Sequence, residues 1–237
     1  MKTKKRKSFL CMIMLFCVIS SVSVNAQETK VRKTWKEINL AEQIPEASLS
    51  TMPTEELIKA YLNSRFPRYL IWHNDIETAF RYAYNDFNGL RELLKREDAA
   101  QKLIEFYQKM DTGAYDLNWE PVKKGAFTFS FVFIEVLLAH ESILNKLTKS
   151  EAKTLLAELL KKHELKTLHP QMYSMYNVQF NAYSLARLLE SKGKDSGVFQ
   201  TLSQTPGIVH LLKAGRLQDK DALSVVIQKA KEFLNTY

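Results

Sequence analysis

Cysteine, proline and glycine are all scarce in this chain of 237 residues, at two, six and seven. Both cysteines, Cys11 and Cys17, lie within the first 26 residues. A chain processed after residue 26 would therefore have no disulfide, no thiolate nucleophile and no cysteine-ligated metal. The seven glycines are widely scattered and no Gly-x-Ser-x-Gly elbow occurs, which argues against phosphate-cradling loops and serine hydrolases. Apolar runs are short too. The stretch between Lys124 and Glu135 holds only ten residues, against the roughly 20 that a helical membrane span requires.

What is present begins with a tripartite N-terminus. Lys2, Lys4, Lys5, Arg6 and Lys7 form a basic start, residues 9–22 are almost wholly apolar, and Val24 and Ala26 put small residues where a peptidase would cut. That order is the pattern of a secretory signal peptide cleaved after Ala26. The apolar core is short for a retained anchor. Cys17 follows bulky Phe16 and precedes further apolar residues, unlike a lipidated cysteine. The expectation is soluble export, to the periplasm or beyond.

Removing residues 1–26 takes five of the 34 Lys and Arg and none of the 26 acids, so the formal charge falls from +8 to +3, 29 cations against 26 anions. The basic balance belongs largely to the targeting segment, and a nucleic-acid role is not expected.

Residues 27–50 are polar with scattered apolar anchors and read as an extended or partly helical lead-in. Residues 51–237 then follow helix grammar. Ser50 or Thr51 is placed to cap, Pro53 suits a first turn, and Glu55 and Glu56 stand where the helix dipole favours acid. Asn74-Asp75 caps a second helix, and Asn88-Gly89 is expected to end it in the left-handed conformation. Further helices are expected at 90–95, 97–110, 125–146, 149–163, 171–191, 206–214 and 220–235, with residues 111–124 as the longest break.

Residues 125–141, GAFTFSFVFIEVLLAHE, open with an alternation that suggests a strand, yet Ile134, Val136 and Leu137 break the period of two. At 100° per residue Thr128, Glu135, Ala139, Ser142 and Lys146 fall within about 60° of each other. The segment thus reads as one continuous helix, mostly buried, with a narrow polar stripe. Leu94, Asp98, Ala99 and Leu103 recur in spacing at Leu147, Glu151, Ala152 and Leu156, and at Leu217, Asp221, Ala222 and Val226. The intervals are irregular for a helical repeat. The fold class expected is all-α, either an irregular antiparallel bundle or a short HEAT-like array.

Candidate chemistry is thin. His140-Glu141 opens like a zinc-protease helix, but Leu144 stands where the second histidine is needed. His140 falls in the apolar arc and reads as a core histidine, while His163 reads as lying near a helix C-terminus, where the dipole suits it. Asp75/Glu77 and Glu97/Asp98 read as helix-start acids. No metal, cofactor or catalytic residue is assigned.

The aromatics are more informative. Phe66, Tyr69, Trp72, Phe80, Tyr82, Tyr84 and Phe87 are interleaved with Arg65, Arg68 and Arg81, and Tyr173, Tyr176, Phe180 and Tyr183 recur at spacings of three and four. At helical spacing such stripes are usually core. Exposed beside arginine, they would stack on sugars or anchor a protein partner. The candidate binding surface is accordingly Arg65, Arg68, Tyr69, Trp72, Arg81 and Tyr82.

The run Phe87-Asn-Gly-Leu-Arg-Glu-Leu-Leu-Lys-Arg-Glu-Asp-Ala99, with Met52-x-Thr54-Glu55-Glu-Leu57 before it and Glu135-Val-Leu-Leu-Ala139 and Leu147-x-x-x-Glu151 after it, resembles a helical module of secreted proteins of Bacteroidota and related gut bacteria. The resemblance covers most of residues 50–165. It implies an exported helical module and carries no catalytic residues across. The functional expectation is a protein-interaction module of the envelope. The alternative is a glycan-binding protein or glycoside hydrolase using the 66–87 aromatics with Glu77 or Asp86.

Overall fold

The computed structural model describes residues 39–194, 198–217 and 220–236. Residues 1–26, read above as a signal peptide, and residues 27–38 of the lead-in lie outside them. The described chain is all-α, with no strand among the described residues. The helices are α1 (Glu46–Leu49), α2 (Thr54–Asn63), α3 (Tyr69–Trp72), α4 (Ile76–Asp86), α5 (Asn88–Lys95), α6 (Ala99–Lys109) and α7 (Pro121–Leu138). They continue with α8 (Glu141–Leu144), α9 (Lys149–Leu168), α10 (Met175–Lys192), α11 (Val198–Gln204), α12 (Pro206–Ala214) and α13 (Lys220–Thr236). A 3₁₀ turn, Phe66–Arg68, precedes α3.

Local chemistry explains most boundaries. Asp75 caps α4 by accepting from the Thr78 amide at 3.1 Å. Thr148 and Glu151 close a capping box on α9. Gly215, at φ +67°, ends α12 in the left-handed region, and a Cβ there would come within 2.0 Å of the Ile76 side chain.

Several expectations are corrected. Pro53 itself stands at the N-cap of α2, with no side chain capping from Ser50 or Thr51. Gly89 lies inside α5, not in a left-handed terminus. Its value is close approach, because a Cβ would lie 2.5 Å from the Phe87 ring and 2.8 Å from Ile44 Cδ1. The 125–146 helix is two: Pro121 opens α7 early, α7 ends at Leu138, and His140 turns the chain into α8. Helix α9 runs on to Leu168, so His163 is mid-helix.

Packing is centred on α10, which lies against α7, α9 and α13. Around it, α2 packs on α5 and α6, and α4 on α3 and α5. Contacts of α6 with α7 and α9, and of α12 with α4, join the two groups. Ala99, Ala152 and Ala222, the small residues of the recurring pattern, are all buried with their Leu103, Leu156 and Val226 partners. Residues 43 and 44 are tied to the start of α5 through amide pairing. Gln43 donates to the Asp86 carbonyl and accepts from the Asn88 amide, while the Asn88 side chain bonds both backbone groups of Ile44.

Candidate functional site

The 66–87 aromatics divide between core and surface. Phe66, Phe80 and Phe87 are buried, and Phe66 stacks on Phe87 at 4.9 Å. Trp72 is 56% exposed, Tyr82 46% and Ile71 43%. The cause is local: α3 is a single turn that buries only Leu70, so its neighbours Ile71 and Trp72 face water. Tyr69 holds the patch together. Its hydroxyl donates to Asp86 Oδ2 at 2.7 Å, and its ring lies 5.7 Å from Trp72 and 6.2 Å from Tyr82. His73 stacks on Tyr82 at 4.8 Å with the rings 13° apart. Burial, reinforced by the Asp86 hydrogen bond, pushes the Tyr69 phenol up to about 12.

Of the six residues singled out in the sequence, Tyr69, Trp72 and Tyr82 meet here, and Arg68 is exposed one residue before Tyr69. Arg65 is not on the surface. It is buried, with its guanidinium 5.4 Å over the Phe66 ring and 3.7 Å from Glu42. Arg81 is exposed but belongs to a different feature, the wall of a cleft. His73, which joins Tyr69 to Tyr82, was missed because a lone histidine carries no pattern. The carboxylates are also separated: Asp86 is engaged by Tyr69, and Glu77 lines the cleft. The second aromatic group, by contrast, is mainly core, with Tyr173, Phe180 and Tyr183 buried.

The cleft, of about 1110 Å³, opens between α4 and α5 on one side and α10, α11 and α12 on the other, with the α7–α8 junction at its base. His140 lies at that junction. Its ring stacks on Phe80 at 4.1 Å, and its Nδ1 accepts from the Ser142 amide at 3.2 Å. An accepting Nδ1 puts the proton of the neutral ring on Nε2. Burial, with the Arg187 charge adding to it, pushes the His140 pKa down to about 4. On the α10 wall Arg187 Nη1 pairs with Glu190, while Arg187 Nε is buried with no partner among the described residues.

A third feature lies in the core. The polar stripe of α7 does not face solvent. Glu135 is fully buried, and its Oε1 accepts from Tyr107 Oη at 2.6 Å, Lys166 Nζ at 2.6 Å and Asn181 Nδ2 at 3.0 Å. The Glu135 carbonyl accepts from Ser184 Oγ at 2.7 Å. His163 bonds Asn181 through Nδ1 at 3.1 Å, and Lys162 pairs with Glu158 at 2.9 Å. Burial lowers the Lys166 amine and raises the Tyr107 hydroxyl from their ordinary values. Lys166 and Lys162 also lie over the Phe131 ring, at 5.2 and 5.9 Å. His163, at the edge of the network, also lines a surface pocket of about 540 Å³ with Leu223 and Ile227, while Glu135 and Lys166 are fully buried, so the chemistry at the centre is that of a desolvated ion pair held by neutral donors.

Among the described residues no group of three His, Cys, Asp or Glu side chains gathers as a metal site, and no helix is long and apolar enough to cross a membrane. The chain matches no protein-family model, no curated protein and no solved structure. The class defined by these observations is an all-α bundle with an aromatic surface patch and a separate mixed-charge cleft.

Proposed function

We propose that the protein is an exported interaction module of the bacterial envelope, and that it binds a protein partner through the patch of Tyr69, Trp72, His73 and Tyr82. The observation that carries this reading is the exposure of Trp72, Tyr82 and Ile71 on neighbouring elements, where most other large apolar side chains among the described residues are buried or half-buried. Tryptophan and tyrosine beside arginine are the residue types that anchor interfaces, because they bury much area at low entropic cost. Tyr69, fixed by Asp86, pre-orders the patch. Export rests on the sequence of residues 1–26.

A second reading is glycan binding on the same rings. Exposed Trp72 and Tyr82 favour it, since aromatic faces stack on sugars. The hydrolytic version has less support, as Asp86 and Glu77 serve different features.

The test is capture from envelope extract on immobilised chain lacking residues 1–26, comparing wild type with a Trp72→Ala, Tyr82→Ala double variant. The reading expects a protein retained by wild type and lost from the double variant. Equal retention by both would refute the patch as the interface. Loss of a glycan-panel signal in the double variant, with no protein captured, would move the assignment to the second reading.

A further inference from the structure

The cleft is a second surface, independent of the aromatic patch and of the reading placed on it. Its floor and walls include Phe80, Val136, Tyr183 and Leu212, which supply an apolar bed. Around them stand five cationic side chains, Arg81, Arg91, Lys95, Arg187 and Lys213, against three carboxylates, Glu77, Glu141 and Glu190. One of those carboxylates is consumed internally, by the Arg187–Glu190 pair. Arg91 is likewise committed, donating to the Tyr84 and Asn85 carbonyls at the end of α4. Arg81, Lys95 and Lys213 make no ion pair among the described residues, and all three are exposed.

Two groups give the cleft a polarity beyond its net charge. Arg187 lines the cleft with 26% of its side chain exposed, so its guanidinium, paired through Nη1 with Glu190, still presents its charge there, whereas its Nε is buried out of a ligand's reach. His140, with Nδ1 already accepting from Ser142, has only the Nε2 hydrogen left to offer. Stacking on Phe80 fixes the ring plane. Both groups therefore ask for an acceptor, and neither offers one. Because burial keeps His140 neutral at ordinary pH, it donates without adding charge.

From the partly exposed Arg187 guanidinium, the His140 ring and the apolar lining that shares the cleft with them, we infer that the cleft is a binding site for a small amphiphilic carboxylate, the acid on Arg187 and His140 and the apolar body along Phe80 and Tyr183. A volume of about 1110 Å³ is ample for such a molecule, since small-ligand pockets commonly span roughly 300–1,000 Å³. Apolar walls with a few convergent polar groups are the usual makeup of such pockets. The exposed Arg81, Lys95 and Lys213 steer anions toward the opening and reject cations.

The experiment is calorimetric titration of the protein with decanoate, decanol and decyltrimethylammonium, repeated on Arg187→Gln and on a Lys95→Gln, Lys213→Gln double variant. The result expected is saturable one-site binding of decanoate, with decanol weaker by about tenfold or more and no binding of the cation. Arg187→Gln is expected to weaken decanoate about tenfold while leaving decanol unchanged. The double variant alters only exposed side chains, so it keeps the test valid should Arg187→Gln fold poorly; it is expected to weaken decanoate several-fold at low salt. Absence of saturable decanoate binding overturns the inference. So does equal affinity for decanol, or unchanged decanoate affinity in both variants. An acidic peptide that binds where decanoate does not would overturn it as well, and would reassign the cleft to a protein segment.

Discussion

The core between α7, α9 and α10 and the surface formed by α3 and α4 reverse the ordinary placement of side chains. Glu135 and Lys166 are wholly buried, whereas Trp72, Tyr82 and Ile71 face water. The two regions differ in how their exceptions are compensated. Inside, Glu135 Oε1 takes three donors at once, and Tyr107, Asn181 and Lys166 converge on it from three helices. Outside, the aromatic rings contact one another, with Tyr69 tied to Asp86. A charge in the core is sustained by a partner already in the chain. The exposed rings, on this account, are completed by a partner outside it.

The largest effect that would break this contrast is expected at Glu135. Removing one member of a buried ion pair strands the other, so Glu135→Ala should cost about 3–5 kcal/mol in denaturant unfolding. A Glu135→Met, Lys166→Met double variant should recover most of that loss, because well-packed apolar side chains replace such pairs nearly neutrally. Failure to recover would mean that the pair itself contributes net stability.

Acid comes next. The folded state lowers the His140 pKa to about 4, from an ordinary value near 6.5. Between those values the unfolded chain binds the proton and the folded chain does not, so stability is whole above pH 6.5 and falls as pH drops toward 4. His163 is shifted in the same direction by burial. The His140 share should amount to about 2–3 kcal/mol. Unfolding curves across that window check it. His140→Asn, which keeps an acceptor and a good N-cap for α8, should flatten the slope.

Gly89→Ala probes the seam beneath the patch. Alanine would favour the helix, but its Cβ would meet the Phe87 ring and Ile44. Overpacking should win by about 1–3 kcal/mol, read as a lowered unfolding midpoint. The smallest stability effect belongs to Trp72→Ala and Tyr82→Ala, each expected within about 1 kcal/mol because the side chains are half in water. Their effect should appear in partner capture.

The sequence shows the all-α class, the Asp75 cap, and the helix starts marked by Ala99, Ala152 and Ala222. Those features are local, set by caps and by the 3.6-residue period. It does not show where the polar stripe of α7 points. Periodicity groups Thr128 with Glu135 but cannot say whether that face meets water or Lys166, which lies 31 residues further on. The clue available was the surroundings of Glu135, a lone acid amid apolar residues. The aromatic run was ambiguous for the same reason. Phe80 and Tyr82, two residues apart on α4, fall on opposite faces by periodicity, but which face is buried is set by the packing of α4 against α3, α5 and α12. The cleft was invisible, since His140, Arg187 and Arg81 come from three segments far apart in the chain that tertiary packing brings together, through the stacking of His140 on Phe80 of α4 and the packing of α10 on α7 and α8.

The most direct test is paired urea unfolding of Glu135→Ala and Trp72→Ala against wild type under identical conditions. The account predicts a large loss for Glu135→Ala, about 3–5 kcal/mol, and less than about 1 kcal/mol for Trp72→Ala. A Trp72→Ala loss as large as that of Glu135→Ala would contradict it, placing the tryptophan in the core and removing the surface on which the proposed function rests.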